Sequence, residues 1–185
     1  MLKKIISGGK PGVELAALDA AIRLEIPHEG WCYQNRKTDG GVLPKHYNVK
    51  EIDNPSYFER LEKNIIDSDG TVVLTYGQMA IGSKAVKGLA ENHNKPLLSI
   101  NLGEHSLDHT VSLIQKWMTQ HEIDTIYFTG SKTGRDHSTK IYDEVIQVIE
   151  GICGIKREKF FGFLEEDKTT DSGEDTLNRN DYSND

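Results

Sequence analysis

Short apolar runs alternate with longer stretches whose apolar positions recur at helical spacing. The runs predict strands at 3–6, 71–75, 97–101 and 123–128. The longer stretches predict helices at 12–24, 57–67, 84–93, 107–121 and 139–150. Alternation of strand, glycine-bearing turn and helix is typical of an α/β protein. The pattern therefore predicts a doubly wound, mostly parallel Rossmann-like sheet with helices on both faces.

The first strand ends in a glycine-rich turn that leads directly into the first helix. The polar and glycine positions of this turn are Ser7, Gly8, Gly9, Lys10 and Gly12. Glycines let the backbone approach a ligand closely, and the helix start offers unpaired N–H groups at the positive end of its dipole. The turn therefore predicts an anion-binding site, and phosphate is the ligand that such turns usually bind. Since the glycine spacing matches neither common phosphate-loop motif, a tight turn without a ligand is the alternative.

Two further glycine-bearing turns follow predicted strands. The second turn supplies Gly77, Gly82 and Ser83, with Ser83 as a candidate N-cap. The third supplies Gly130, Ser131 and Arg135. In a parallel sheet with right-handed crossovers all strands end at the same edge, which is where such folds bind ligands. We therefore expect the three turns to form one crevice.

Residues 28–56 have no clear periodicity, and their side chains are mixed aromatic and basic. Long irregular segments inside compact domains are often functional. Trp31 and Tyr33 are suited to stacking on a planar ring, and Arg36 and Lys37 to pairing with phosphate. A Trp31 packed in the core and a solvated Arg-Lys pair are the alternatives.

The predicted helix 57–67 places Arg60, Asn64 and Asp67 on one face. A polar helix face normally points to solvent. A functional role is the alternative, because the stripe leads into the next strand.

Composition indicates a single domain, assigned to residues 1–164, followed by an acidic tail at 165–185. The chain is 36% hydrophobic and 28% charged. The tail carries eight acidic and two basic residues, hence −6 of the total charge of −7. With so few apolar residues it is predicted to be disordered. The near-neutral body has no basic stripe, which argues against nucleic acid as a partner.

No apolar run approaches the length of a membrane span, and no signal peptide is recognisable, so a cytoplasmic location without a membrane partner is expected. Cys32 and Cys153 are isolated, which predicts two reduced thiols. His105, Asp108 and His109 have a spacing that metal ligands can use, but nothing else supports a metal, so a surface role is favoured.

With these residues identified, the chain resembles the molybdenum carrier proteins, a circularly permuted YpsA-like branch of the SLOG superfamily. Six short segments carry the resemblance: 5–9, 17–22, 26–28, 30–32, 67–71 and 82–83. The resemblance covers about residues 3–150.

The resemblance implies a Rossmann-like fold and a homo-oligomer, either a dimer or a tetramer. It also implies a nucleotide-derived or molybdopterin-like ligand, either a nucleotide or the molybdenum cofactor, whose phosphate sits on the first glycine loop. Carried over position by position, the implied ligand-binding residues are Gly8, Gly9, Gly12, Arg36, Lys37, Gly82 and Ser83.

The chain departs from the family pattern in two turns. Lys10-Pro11 stands where the family has Gln-Thr, which removes one N–H donor and one hydroxyl and adds a cation. The third turn is longer than the family's Gly-Pro-Arg run, and Arg135 is the candidate counterpart of its arginine.

A binding or carrier function is favoured over an N-glycosidic hydrolase of nucleoside monophosphates, the activity of relatives in the wider superfamily. Those enzymes use a carboxylate shortly after the second glycine loop, where this chain has Val86. A valine side chain cannot act as acid or base. Asp67, Asp69 and Glu91 are the possible substitutes. A nucleotide sensor ranks last, since no second domain is recognisable to receive its signal.

Overall fold

The computed structural model describes residues 1–53, 56–77, 81–132 and 138–155. The predicted acidic tail and Arg135 lie outside these ranges. The elements in chain order are β1 (Lys4–Ile6), α1 (Val13–Arg23), β2 (His28–Glu29), β3 (Trp31–Cys32), a 3-10 turn (Gln34–Arg36), β4 (Lys37–Thr38), β5 (Gly41–Val42), β6 (Lys50–Glu51), α2 (Tyr57–Ile66), β7 (Gly70–Thr75), α3 (Ile81–Asn92), β8 (Leu97–Asn101), α4 (Leu107–Gln120), β9 (Thr125–Gly130) and α5 (Ser138–Ile152).

The centre of the fold is a five-stranded sheet with the order β2-β1-β9-β7-β8. Every neighbouring pair in it is parallel. The last strand of the chain, β9, therefore lies in the middle between β1 and β7, with Ile5 opposite Ile126 and Val72 opposite Phe128. This confirms the predicted Rossmann-like α/β class.

Side chains alternate between the two faces of the sheet, as the period of a strand requires. Ile5, Val72 and Phe128 join the core formed with α1, α4 and α5. Their neighbours Ile6 and Val73 point the other way, into a second core with α2 and α3. Helices thus cover both faces, and the ends of the strands are left for the loops.

Residues 28–51 contain more regular structure than the sequence predicts. β3 pairs with β6 in parallel, and β4 with β5 in a hairpin. A third apolar cluster holds this segment against α1, built from Leu18, Cys32, Leu43, Tyr47 and Val49. The pairs are only two residues long, too short to produce a visible period.

The prediction of Ser83 as an N-cap is wrong, because α3 begins at Ile81 and includes Ser83 in its first turn. N–H groups in a first turn have no intrahelical partner, so a serine there is acceptable and does not mark the helix start. Among the described residues no helix is long and apolar enough to cross a bilayer.

Candidate functional site

The first glycine loop joins the end of β1 to the start of α1 and is buried from Ser7 to Lys10. The Ser7 hydroxyl donates to the backbone carbonyl of Glu14 at 2.7 Å, which fixes the loop to the first turn of the helix. Gly9 and Gly12 have φ values of 73° and 104°, a region that side chains with a Cβ avoid. The glycines are therefore required by the path of the backbone itself.

Gly8 packs directly against a buried arginine. A Cβ on Gly8 would lie 1.8 Å from Nη1 of Arg60 and 2.9 Å from the carbonyl oxygen of Trp31. The absent side chain thus makes room for a guanidinium group of α2 underneath the loop.

A buried carboxylate, Glu14 in the first turn of α1, organises this region. Arg60 binds it with both terminal nitrogens, Nη1 to Oε2 at 2.9 Å and Nη2 to Oε1 at 3.2 Å. Tyr127 and Thr129 of β9 donate their hydroxyls to Oε1 at 3.3 and 2.9 Å, and the backbone N–H of Lys10 donates to Oε2 at 3.2 Å. We call this set the Glu14–Arg60 network.

The network keeps its carboxylate ionised although both partners are almost fully buried. Burial by itself would raise the pKa of Glu14, but the charge and hydrogen bonds of Arg60 hold that pKa below its ordinary value. Burial would likewise lower the pKa of Arg60, and the Glu14 charge raises it instead. Because all five donors point at one carboxylate, Glu14 has little capacity left to act as an acid or base.

Arg60 belongs to the polar stripe of α2. The expectation that this face is exposed to solvent is wrong for Arg60 and Asn64, whereas Asp67 is exposed. Arg60 and Asn64 are 1% and 0% exposed. Asn64 Oδ1 accepts from the Trp31 backbone N–H at 2.9 Å, and its amide donates to the Trp31 carbonyl at 3.1 Å. The Trp31 indole N–H donates to Asp67 at 2.7 Å. The stripe therefore joins α2 to β3 and places Arg60 under the loop.

Lys10 is a second buried cation, only 8% exposed. Its Nζ lies 4.5 Å from the centre of the Tyr57 ring and 5.1 Å from that of Tyr33. Burial, followed by repulsion from Arg60, lowers the pKa of Lys10 to about 8. Within the described part of the chain its ammonium group has ring faces as neighbours and no ion-pair partner. An anion at the loop would supply the missing counter-charge.

The loop also presents three backbone amides, those of Gly8, Gly9 and Gly12. Among the described residues, no oxygen accepts a hydrogen bond from the N–H of Gly8, Gly9 or Gly12. Gly8 and Gly9 are buried, and an unpaired buried N–H is rare in folded proteins. The loop thus combines free donors with a nearby uncompensated cation.

The aromatic-basic segment is placed beside this loop, but its arginine is already engaged. Arg36 donates to four carbonyl oxygens of its own segment at 2.8 to 3.1 Å, those of Leu43, Pro44, Tyr47 and Val49. The guanidinium therefore holds the segment together, which sequence reasoning missed. Lys37 is exposed at the start of the β4–β5 hairpin. Trp31 has Lys63 Nζ 4.2 Å from its ring, on the side of α2.

The third loop reaches the first one. The Ser131 carbonyl accepts from the Val13 N–H at 3.3 Å, and Lys132 pairs with Asp39 of the hairpin at 2.5 Å. Gly130 is needed for packing, since a Cβ there would lie 1.8 Å from the Leu74 carbonyl oxygen.

The second loop lies farther along the sheet edge. The exposed Gly77 donates its N–H to Asn101 Oδ1 at 3.0 Å, so this amide is engaged with the β8 loop. Gly82 and Ser83 lie in the first turn of α3. The structure therefore joins the first loop to the third through Val13 and Ser131. The second loop is joined to the third by the Tyr76 backbone N–H, which donates to Ser131 Oγ at 3.3 Å, while Gly77 is bonded to β8.

The candidate carboxylates for hydrolysis do not gather in this crevice. Val86 lies in α3, is 2% exposed and packs in the core that α2 and α3 form with the sheet. Asp69 precedes β7 and accepts from the N–H of Thr125 at 2.9 Å, so it lies at the amino edge of the sheet. Asp67 is bound to Trp31, and Glu91 pairs with Lys87 near the far end of α3.

Burial raises the pKa of both cysteine thiols, Cys32 and Cys153, and neither forms a disulfide. Within the described ranges no three His, Cys, Asp or Glu side chains are grouped as metal ligands would be.

Comparison with known proteins agrees with this architecture. The family described as "Circularly permutated YpsA SLOG family" matches residues 5–153. A crystal structure described as "Putative molybdenum carrier protein" from Syntrophus aciditrophicus SB is similar at 36% sequence identity and a TM-score of 0.77, covering 82% of this chain and 94% of that one. No curated protein matches. The chain belongs to the circularly permuted YpsA family of SLOG proteins.

Proposed function

We propose that this protein binds or carries a phosphate-bearing small molecule, nucleotide-derived or molybdopterin-like, whose phosphate rests on the first glycine loop. The observation that carries the proposal is that the backbone amides of Gly8, Gly9 and Gly12, beside Lys10, have no acceptor among the described residues. Backbone N–H groups at a helix start are the common way in which α/β proteins hold phosphate. The description of the similar crystal structure as a molybdenum carrier supports a carrier function in general terms.

The rest of the proposed site surrounds this loop. Tyr33 and Tyr57 flank Lys10 and offer ring faces to a base or a pterin. Ser7 is the remaining loop residue of the proposed site, although its hydroxyl already donates to the backbone carbonyl of Glu14. The outer positions that complete the proposed site are Arg36, Lys37, Gly77, Gly82, Ser83, Gly130, Ser131 and Arg135.

The residues fit the phosphate end of the molybdenum cofactor better than its metal. The loop amides and Lys10 suit a phosphate, while the described residues offer no cluster of metal-ligating side chains. Molybdenum would therefore arrive bound to its own pterin, and the protein would recognise the phosphate and the ring.

Binding is favoured over hydrolysis because Glu14, the carboxylate that lies beneath the loop, is ionised and fully engaged in hydrogen bonds. Glu14 serves to hold Arg60 and the Lys10 amide in place. Its role is then to shape the loop for a ligand. A homo-oligomer and a cytoplasmic location remain part of the proposal.

The proposal is tested by the melting temperature of the full chain with inorganic phosphate, pyrophosphate, nucleoside monophosphates, a pterin phosphate and molybdate. A ligand present at a hundred times its Kd contributes about 2.7 kcal/mol, or roughly 5–10 °C for a domain of this size. Lys10→Met should lose most of that shift. Lys116→Met, at an exposed lysine of α4 outside the proposed site, is the matched control and should keep it.

Equal shifts in Lys10→Met and wild type for every phosphate compound would overturn the assignment of the site. Mass spectrometry of small molecules released from the purified protein identifies the ligand. A released compound that lacks phosphate would also contradict the proposal.

A further inference from the structure

The β4–β5 hairpin lies against the outer side of the first glycine loop. A Cβ on Gly40 would lie 2.8 Å from Cγ of Pro11, so the tip of the hairpin packs directly on the loop. The Thr38 hydroxyl holds this tip in shape, since it donates to the Gly41 carbonyl at 2.9 Å and accepts from the Gly40 N–H at 3.1 Å. The hairpin therefore holds Asp39, at its tip, close to the proposed phosphate site.

Lys132 reaches the same place from the third loop. It forms an antiparallel β-bridge with Gly12, which brings the two Cα atoms to within about 5.5 Å of each other. Its Nζ lies 2.5 Å from Oδ2 of Asp39, and the two side chains are 55% and 60% exposed. This ammonium group is therefore accessible to a solute, and it belongs to a residue that pairs with the loop.

Asp39 lies in the positive field of the proposed site. The hydrogen bond of Lys132 lowers the pKa of Asp39, against the smaller opposing effect of partial burial. The positive charges of Lys10 and Arg60 lower it further. The Asp39 carboxylate thus occupies a position to which the charges of the site attract an anion.

A ligand phosphate can replace the carboxylate in this ion pair. Ion pairs between exposed side chains contribute little to stability, because water screens them and both side chains lose freedom. A phosphate group carries more charge than a carboxylate and has more acceptor oxygens, so it competes well for the same ammonium group. A ligand held by one phosphate on the loop would also present a second phosphate to Lys132 at a high effective concentration.

We propose that Lys132 is a second anion subsite beside the first glycine loop, and that Asp39 occupies it until a ligand arrives. The inference rests on the function proposed above and narrows its ligand to compounds with two neighbouring phosphate groups, such as nucleoside diphosphates and dinucleotides linked by a diphosphate. The first phosphate lies on the loop amides beside Lys10, and the second replaces the Asp39 carboxylate at Lys132. A monophosphate occupies the loop alone and leaves the Lys132–Asp39 pair intact.

The test is calorimetry of the full chain with inorganic phosphate and with pyrophosphate at one ionic strength. The quantity compared is the ratio of the pyrophosphate affinity to the phosphate affinity, because effects common to both anions cancel in it. Asp39→Asn keeps the size of the side chain and removes the competing charge, so it should raise the ratio about threefold to fivefold. Lys132→Met removes the subsite and should lower the ratio at least about fivefold, with the phosphate affinity changed less than about twofold.

Two exposed residues of α4 provide matched controls for the change in charge. Asp108→Asn and Lys116→Met alter the net charge as the test variants do, but they lie outside the hairpin and the glycine loops. Both should keep the wild-type ratio. Because all four changes are at exposed side chains, the variants should fold like wild type. In wild type, pyrophosphate should also shift the amide signals of 38–41, since the hairpin loses its bond to Lys132, and phosphate should leave them unchanged.

If wild type binds both anions and neither Asp39→Asn nor Lys132→Met changes the ratio, this inference is wrong while the proposed function stands. An equal rise in Asp39→Asn and Asp108→Asn would also overturn it, because the effect would then come from net charge. If neither anion binds to wild type or to Asp39→Asn, the phosphate site itself is refuted, and the inference with it. Pyrophosphate binding that is found only in Asp39→Asn would support the inference, since the carboxylate then keeps the subsite closed.

Discussion

Replacing Arg60 by methionine should destabilise this protein more than most single substitutions, by about 3–5 kcal/mol. Methionine replaces the aliphatic part of the arginine side chain, so the packing of α2 against β1 and β9 is largely kept. What is lost is the partner of a carboxylate that is 5% exposed. Leaving one member of a buried ion pair without its partner costs this much because the remaining charge is neither solvated nor compensated.

The pH dependence distinguishes this cause from a packing defect. In wild type the pKa of Glu14 is below its ordinary value, so its contribution to stability is present above about pH 4.5 and is lost as the pH falls through the lower folded value. In Arg60→Met the pKa of Glu14 should rise above its ordinary value. The variant then regains stability as the pH falls from 7.5 to 5.0, and its deficit relative to wild type shrinks.

Urea unfolding at pH 7.5 and 5.0 measures both effects on the full chain. A second comparison uses the double variant Glu14→Gln with Arg60→Met, in which both charges of the ion pair are removed. It should be more stable than Arg60→Met alone by about 2 kcal/mol, since a neutral amide costs less to bury. A loss below about 1 kcal/mol in Arg60→Met, or a deficit that is the same at both pH values, would refute the assigned role of the Glu14–Arg60 network.

Three further predictions follow from the same geometry. Arg36→Ala removes four hydrogen bonds to carbonyls and should cost about 2 kcal/mol in urea unfolding, whereas Lys37→Ala should stay within about 0.5 kcal/mol; equal effects would contradict the structural role of Arg36. Gly30→Ala should cost more than about 2 kcal/mol, because its φ is 155° and the new Cβ would lie 1.9 Å from the Ser7 carbonyl oxygen; a melting temperature within 2 °C of wild type would show that the backbone can relax there. Phosphate binding should weaken between pH 7 and 9 as Lys10, with a pKa of about 8, loses its proton. In calorimetry the affinity of Lys10→Arg for phosphate should depend less on pH than that of wild type, because arginine stays charged. The same pH dependence in both proteins would exclude Lys10 as the titrating group.

Much of the fold was predictable because the strands and helices carry strong periods. The apolar run 71–75 and the glycine turns after β1 and β9 were sufficient to predict a parallel sheet with its loops at one edge. The pairing β3–β6 was not predictable, since two-residue strands leave no pattern and depend on contacts far apart in the chain.

Only part of the candidate site could be predicted from the sequence, and the reason is physical. Glycine turns are local signals, and the first one was recognised from Ser7 to Gly12. The Glu14–Arg60 network joins α1, α2 and β9, and no local window contains it. The stripe of Arg60, Asn64 and Asp67 was the available signal, and the usual exposure of polar helix faces led to the wrong expectation. Glu14, a charged residue in the first turn of the mostly apolar helix α1, was the second clue.

Gly9 shows why a glycine in such a loop is a poor mutational probe. A Cβ at Gly9 would lie 2.5 Å from the Leu43 side chain, and the φ of 73° is itself unfavourable for other residues. Substitution there would disturb packing as well as any ligand. Lys10 tests the loop better, because its side chain can be shortened or neutralised without changing the backbone.

The central claim is that the backbone amides of the first glycine loop bind phosphate, and an amide titration tests it most directly. Pyrophosphate is added to ¹⁵N-labelled full chain, and the amide signals of Gly8, Gly9 and Gly12 are followed. The account predicts that these three signals move downfield and saturate together, since each N–H gains an anionic acceptor. If pyrophosphate binds while these three amides stay unchanged and the affected signals lie elsewhere, the phosphate site is not at this loop.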